Sequence, residues 1–142
     1  MKISARNIFE GTVSALALGP VSAEAEITTA GGSRLVATIT QASATSLGLA
    51  VGKPVVALVK ASSVMIMTEG SGVRLSARNC LAGTITKLTL GPVSAEVGVE
   101  LADGNIVSAS ITREAANELG LAVGAPATAV IKASSVIIGV PV

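Results

Sequence analysis

The chain has 142 residues, half of them apolar, with 10 Lys and Arg against 9 Asp and Glu, one Phe, one Cys and neither Trp, Tyr nor His. A net charge of +1 excludes the basic footprint that duplex nucleic acid requires, and the near-absence of aromatic rings removes the stacking platforms on which single strands are held. Without His the usual general base and the commonest transition-metal ligand are both missing, and one Cys cannot close an intramolecular disulfide.

The chain is written twice. Ser4-Ala5-Arg6-Asn7 returns as Ser76-Ala77-Arg78-Asn79, Gly19-Pro20-Val21-Ser22-Ala23-Glu24 as Gly91-Pro92-Val93-Ser94-Ala95-Glu96, and Lys60-Ala61-Ser62-Ser63-Val64 as Lys132-Ala133-Ser134-Ser135-Val136. A constant offset of 72 positions aligns the copies without a gap. The repeats are assigned as residues 1–69 and 73–142, joined by a polar linker at 70–72. The N-terminus, Met1 to Asn7, has no apolar h-region, so no signal peptide is expected and a cytoplasmic location is the default. Charges, Gly and Ser interrupt every apolar run well short of the ~20 residues a membrane-spanning helix needs, so no membrane span is expected.

Within each copy the dominant period is two. Val21, Ala23, Ala25 and Ile27 alternate with Ser22, Glu24, Glu26 and Thr28, which predicts a half-buried strand, and Leu35, Ala37 and Ile39 predict a second. Gly19-Pro20 and Gly31-Gly32 punctuate these strands, and Asp103-Gly104 is a strong hairpin signal in the second copy. Gln41 to Leu47 loses the alternation and ends at Gly48, which predicts a short helix with Thr40 as its N-cap; Thr112 to Gly120 repeats the pattern. Val55 to Lys60 and Val64 to Met67 predict two closing strands, matched by Ala127 to Lys132 and Val136 to Val140. Five short strands with one helix between the third and fourth is the plan of an all-β, OB-like barrel in each repeat. Cys80 replaces Ile8 across the repeat and reads as a buried hydrophobe. Two small modules with almost no aromatic anchors bury little surface alone, so an oligomer is expected.

Most charges do not recur between the copies, but Ser4, Arg6, Asn7, Thr12, Ser22, Glu24, Thr40, Lys60, Ser62 and Ser63 do. The set is rich in donors: a planar guanidinium, an ammonium and several hydroxyls beside small residues whose amides a ligand can approach. Such a group suits a small tetrahedral oxyanion. Each member also has a plain structural reading, Arg6 as a solvated strand residue or partner of Glu10, Ser62-Ser63 as turn residues and Thr40 as a cap alone.

In their order along the chain, Ser-Ala-Arg-Asn, Leu-Gly-Leu-x-x-Gly and Lys-Ala-Ser-Ser-Val resemble the Mop domain of the molbindins, and the tandem arrangement resembles a di-Mop molbindin. The resemblance implies two OB-like barrels, a homotrimer and molybdate or tungstate sites at subunit interfaces, serving intracellular molybdenum storage. It implies one class of site from Ser4, Ala5 and Arg6 of one subunit with Thr40, Lys60, Ala61 and Ser62 of another. The second copy would use Ser76, Ala77 and Arg78 with Thr112, Lys132, Ala133 and Ser134. A second class is implied at Val21-Ser22 and Val93-Ser94. Binding without catalysis is expected, with no cofactor and no cation held by direct metal ligands. A molybdate-sensing module acting on a partner protein is the alternative; neither a helix-turn-helix nor a Gly-x-x-x-x-Gly-Lys-Ser/Thr loop occurs.

Overall fold

A computed structural model of the chain describes residues 1–69 and 72–142; Gly70 and Ser71, in the expected linker, lie outside the described residues. The first repeat forms β1 (Asn7–Leu18), β2 (Ser22–Thr29), β3 (Arg34–Thr40), α1 (Gln41–Ser46), β4 (Pro54–Val59), a one-turn 3-10 helix (Ala61–Ser63) and β5 (Met65–Met67). The second forms β6 (Asn79–Leu90), β7 (Ser94–Glu100), β8 (Ile106–Thr112), α2 (Arg113–Glu118), β9 (Pro126–Ile131), a 3-10 turn (Ala133–Ser135) and β10 (Ile137–Gly139). The all-β architecture with one short helix per repeat agrees with the sequence reading. No helix among the described residues is long and apolar enough to cross a membrane.

The opening strands are 12 residues long, not short. Asn7 to Thr12 pairs with β4, and Gly11 to Leu18 with β2, so one strand serves two neighbours in succession. A register shift between Val13 and Ala15, matched between Ile85 and Lys87, bends the strand between those roles, as bulges do in small barrels. Gly11 sits where the strands crowd: a Cβ there would stand 2.5 Å from the Thr28 carbonyl oxygen, and at Gly83 the same atom would collide with that of Glu100.

The helices follow their caps. Thr40 Oγ1 accepts from the Ser43 amide at 3.0 Å and Thr112 Oγ1 from that of Ala115 at 3.0 Å, satisfying donors the first turn leaves open. Gly48 closes α1 at φ +64, a left-handed conformation that side chains resist. The Asp103-Gly104 hairpin joins β7 to β8 as read from sequence, the Gly104 amide donating to Leu101 O at 3.0 Å.

The fifth strands are exchanged. The sheet orders are β10-β4-β1-β2-β3 and β5-β9-β6-β7-β8, so the last strand of each repeat completes the sheet of the other. Ile137 to Gly139 pair with Leu58 to Val56, and Met65 to Met67 with Val130 to Thr128. The 3-10 turn before each exchanged strand packs on the far edge of the sheet it joins, Ala133–Ser135 on β3 and Ala61–Ser63 on β8. Edges that five strands would leave open are thereby covered.

A polar clamp reinforces the crossing. Asn79 is 2 % exposed; its Oδ1 accepts from the Val36 amide at 2.7 Å and its Nδ2 donates to Val36 O at 2.8 Å. Asn7 does the same to Ser108, at 2.7 and 2.8 Å, and also reaches Val59 O. Each Asn thus imitates a strand partner for the edge of the other repeat, and buried amides satisfied in this way lock orientation as well as stability. Core side chains from both repeats, including Val13, Ile27, Leu35, Val59, Ile85, Val99, Val107 and Ile131, form one apolar cluster.

Candidate functional site

The Asn clamps also position the chemistry. Asn79 fixes the first residue of β6 against β3, so the three residues before it, Ser76, Ala77 and Arg78, lie at the inter-repeat seam. Lys132 immediately precedes the 3-10 turn that packs on β3. By construction such a turn leaves the amides of its first residues, Ala133 and Ser134, without an intrahelical acceptor. The two segments meet: Ser76, Ala77, Arg78, Lys132, Ala133 and Ser134 line one open cavity of about 540 Å³, together with Leu75, Val130, Thr38 and Met65. Six of the residues read from sequence thus converge within one chain, and the first repeat supplies Thr38 and Met65 to the wall.

The pseudo-equivalent cavity is smaller, about 100 Å³, and is lined by Arg6, Ala61 and Ser110, the counterparts of Arg78, Ala133 and Thr38. Lys87, Glu96, Val97, Gly98, Ser108 and Ala109 complete it. Ser4, Ala5, Lys60 and Ser62 are not among the residues that line it, although Lys60 and Ser62 flank Ala61 at the 3-10 turn.

Charges differ between the two sites. Arg78 Nη1 donates to both carboxylate oxygens of Glu24, at 2.8 and 2.9 Å. Both side chains are about half exposed, so the pair contributes little to stability. Near Arg6 the recurring acid, Glu96, has Oε2 4.0 Å from Lys87 Nζ.

Thr40 and Thr112 act as helix caps, Thr40 also donating to Ser43 Oγ at 2.8 Å. Thr112 lines a separate cleft with Pro92, Val93, Arg113, Glu114, Asn117 and Glu118, not the cavity that Lys132 lines. That cleft contains Val93 of the second expected site class; Val21 and Val93 are both exposed at hairpin ends, and Ser22 and Ser94 begin β2 and β7. Arg113 Nη1 donates to Gly91 O at 3.0 Å, bracing the hairpin over the helix. Cys80 is exposed, contrary to the buried role read from sequence: it lies on the outward side of β6, its thiol 3.6 Å from Ala77 O, because the inward positions there belong to Asn79 and its alternates.

Sequence reasoning missed Thr38 and Ser110, whose hydroxyls recur without recurring identity, and it left Glu24 and Glu96 without a role. The signal was present: Glu24 stands directly across from Thr38 and Glu96 from Ser110 in the strand register. Elsewhere, Asp103 joins the two hairpin turns. Its carboxylate accepts from Thr29 Oγ1 at 3.0 Å, the Ser33 amide at 3.2 Å and Asn105 Nδ2 at 2.8 Å. The hydrogen bond from Ser33, with those from Asn105 and Thr29, outweighs the opposing effect of burial and holds its pKa at about 2, against an ordinary 3.8.

Comparison with known proteins places this geometry. A solved structure described as the cytoplasmic molybdate-binding protein ModG with molybdate bound superposes with a TM-score of 0.96 at 57% identity, over 99% of this chain and 100% of that one. The molybdenum-pterin-binding protein MopA of Rhodobacter capsulatus is 45% identical over 141 residues, 99% of this chain and 53% of the relative. The molybdenum transport protein ModE of Herbaspirillum seropedicae is 44% identical over 140 residues, 99% of this chain and 52% of the relative. The chain therefore spans about half the length of the curated relatives it matches. Residues 3–66 and 75–138 each match the TOBE domain model, and the chain belongs to that family as a tandem pair of Mop-type domains.

Proposed function

We propose that this protein binds molybdate, and tungstate of the same shape and charge, for intracellular molybdenum storage. The observation that carries this reading is the convergence of Arg78, Lys132, Ser76 and Ser134 with the small residues Ala77 and Ala133 on one cavity at the seam between repeats. Two cations offset a dianion, hydroxyls and amides fix its oxygens, and alanines leave room for close approach. Relatives named for molybdate and molybdenum-pterin binding support the choice of oxyanion.

In this reading each repeat, 1–69 and 73–142, contributes its Ser-Ala-Arg and Lys-Ala-Ser segments, with Ser4, Ala5, Arg6, Lys60, Ala61 and Ser62 forming the first-repeat set. Three chains assemble as a homotrimer, which covers the exposed apolar side chains Ile8, Met65 and Ile137 and brings Thr40 and Thr112 to neighbouring copies' sites. The hairpin positions Val21-Ser22 and Val93-Ser94 supply a second class of site. The function is binding without catalysis in the cytoplasm: a chain with no His offers no general base of the usual kind. Sulfate carries the same charge on a smaller frame, so selection rests on a cavity held rigid by its walls.

A second reading, a molybdate-sensing module, is favoured by one fact: the same tandem pair matches about half of longer relatives, where it is part of a larger protein.

Titration calorimetry of the purified protein tests the first reading. Molybdate should bind with more than one ion per chain, and neither sulfate nor phosphate at equal concentration should displace it, because those bind far more weakly. Arg78→Ala should lower the affinity of one class of site by at least tenfold, the scale of a lost charge-assisted hydrogen bond, with the far-UV spectrum unchanged. No heat with molybdate on folded protein would refute the reading, and sedimentation as a monomer at micromolar concentration would refute the trimer.

A further inference from the structure

Two cavities related by the repeat carry the same arginine in different electrostatic company. On the second-repeat side both oxygens of Glu24 accept from Arg78 Nη1, at 2.8 and 2.9 Å, and so occupy a charge-assisted donor that an oxyanion would use. Glu24 is therefore a resident ligand mimic. An incoming anion must take that donor from the carboxylate, or sit beside a like charge.

The first-repeat side has the same acid at the equivalent position, Glu96, but no carboxylate lies within 4.0 Å of the Arg6 guanidinium among the described residues. Glu96 faces Lys87 instead, at 4.0 Å. Lys87 has no counterpart, since position 15 is Ala, and it follows the β6 bulge, which aims it into the cavity that Arg6 lines. The chain thus answers one recurring acid with an extra cation in one repeat only.

We infer that Glu24 competes internally with the oxyanion for Arg78, and that Lys87 relieves the same competition at Arg6, so that the two sites of one chain differ in affinity with the Arg6 site the tighter. This rests on the oxyanion-binding reading above and adds to it the residues that set the order of filling. Because Glu24, Arg78, Lys87 and Glu96 are all substantially exposed, the carboxylate is held weakly enough for a dianion to displace it. The competition tunes affinity without closing the site. At low molybdate the Arg6 site fills first, and the Arg78 site fills as the anion accumulates.

Calorimetry of the full chain with sodium molybdate at low ionic strength tests this. Apart from the hairpin class, the wild type should show the Arg6 and Arg78 sites as two classes of different affinity, and Arg78→Ala should remove the weaker of these. Glu24→Gln keeps the side chain's size and removes its charge; it should tighten the weaker class by roughly two- to fivefold, the range set by exposed ion pairs. Lys87→Ala should weaken the tighter class by a similar factor, and Glu96→Gln added to Lys87→Ala should restore it. Both substitutions are at exposed strand positions, and far-UV dichroism checks that the fold is kept. If the wild type binds molybdate and Glu24→Gln changes neither class, the competition does not exist while oxyanion binding stands. If the wild type binds no molybdate, both readings fall together.

Discussion

Asn79→Ala removes two hydrogen bonds and leaves two peptide groups stranded. Asn79 is 2 % exposed and Val36, whose amide and carbonyl it satisfies at 2.7 and 2.8 Å, is 9 % exposed, so water reaches neither group freely. An unsatisfied buried donor or acceptor costs about 1–3 kcal/mol; with some relaxation around the truncated side chain the pair should cost ~3 kcal/mol. For a domain of this length that lowers the melting temperature by roughly 10 °C. Asn7→Ala severs the equivalent contacts to Ser108, which is only partly buried, and a longer bond to Val59 O at 3.2 Å; solvent replaces more of what is lost at Ser108, so the cost should be nearer ~2 kcal/mol. Urea unfolding followed by far-UV circular dichroism is the assay, since the chain has no Trp or Tyr to report by fluorescence. An Asn79→Ala protein within 1 kcal/mol of wild type would refute the clamp, and a larger loss at Asn7 than at Asn79 would refute the burial argument behind the ordering.

Asp103→Asn should cost about 1 kcal/mol at neutral pH, a depressed carboxylate pKa being discounted for partial exposure. Because the folded-state pKa lies near 2 and the unfolded near 3.8, that stabilisation is complete above pH 3.8 and fades as pH falls towards 2. The gap between wild type and variant should therefore close over that window in acid-denaturation curves, and a gap independent of pH would contradict the assignment. Gly83→Ala drives a Cβ into the Glu100 carbonyl oxygen and should destabilise by about 1–3 kcal/mol in the same urea assay, despite the better intrinsic propensity of Ala. An unchanged midpoint would show that β6 and β7 can part there at no cost.

Much of the fold was readable because local chemistry and tertiary role coincide. Ala23, Ala25 and Ile27 alternate in sequence and point inward in β2, Thr40 caps α1, and Asp103-Gly104 turns a hairpin. The strand exchange was not readable, for a reason inherent in the duplication. Lys60-Ala61-Ser62-Ser63-Val64 and Lys132-Ala133-Ser134-Ser135-Val136 are identical, and the strands that follow, Met65–Met67 and Ile137–Gly139, are both too short for an apolar pattern to assign either one to β4. The choice is made by where each 3-10 turn can reach. Val36 shows the same limit on a single residue: alternation turns it outward, yet it is buried because the other repeat covers it. Asn7 and Asn79 read as polar neighbours of Arg6 and Arg78, and their burial follows only from that covering. At the candidate site the residue types were legible as an oxyanion set, but that Ser76, Arg78, Lys132 and Ser134 meet on one chain, with Glu24 bonded to Arg78, follows only from the fold.

Exchange of the closing strands means that the two halves are tied twice, once by the peptide backbone and once by each other's sheets. A lone repeat would have to borrow its fifth strand from a second molecule, and its folding would weaken on dilution. Joined in one polypeptide, the lender is always present at an effective concentration set by a short tether, about millimolar. The fused chain can hold its shape at scarce copy number, and a nick between the repeats would leave the halves interlocked.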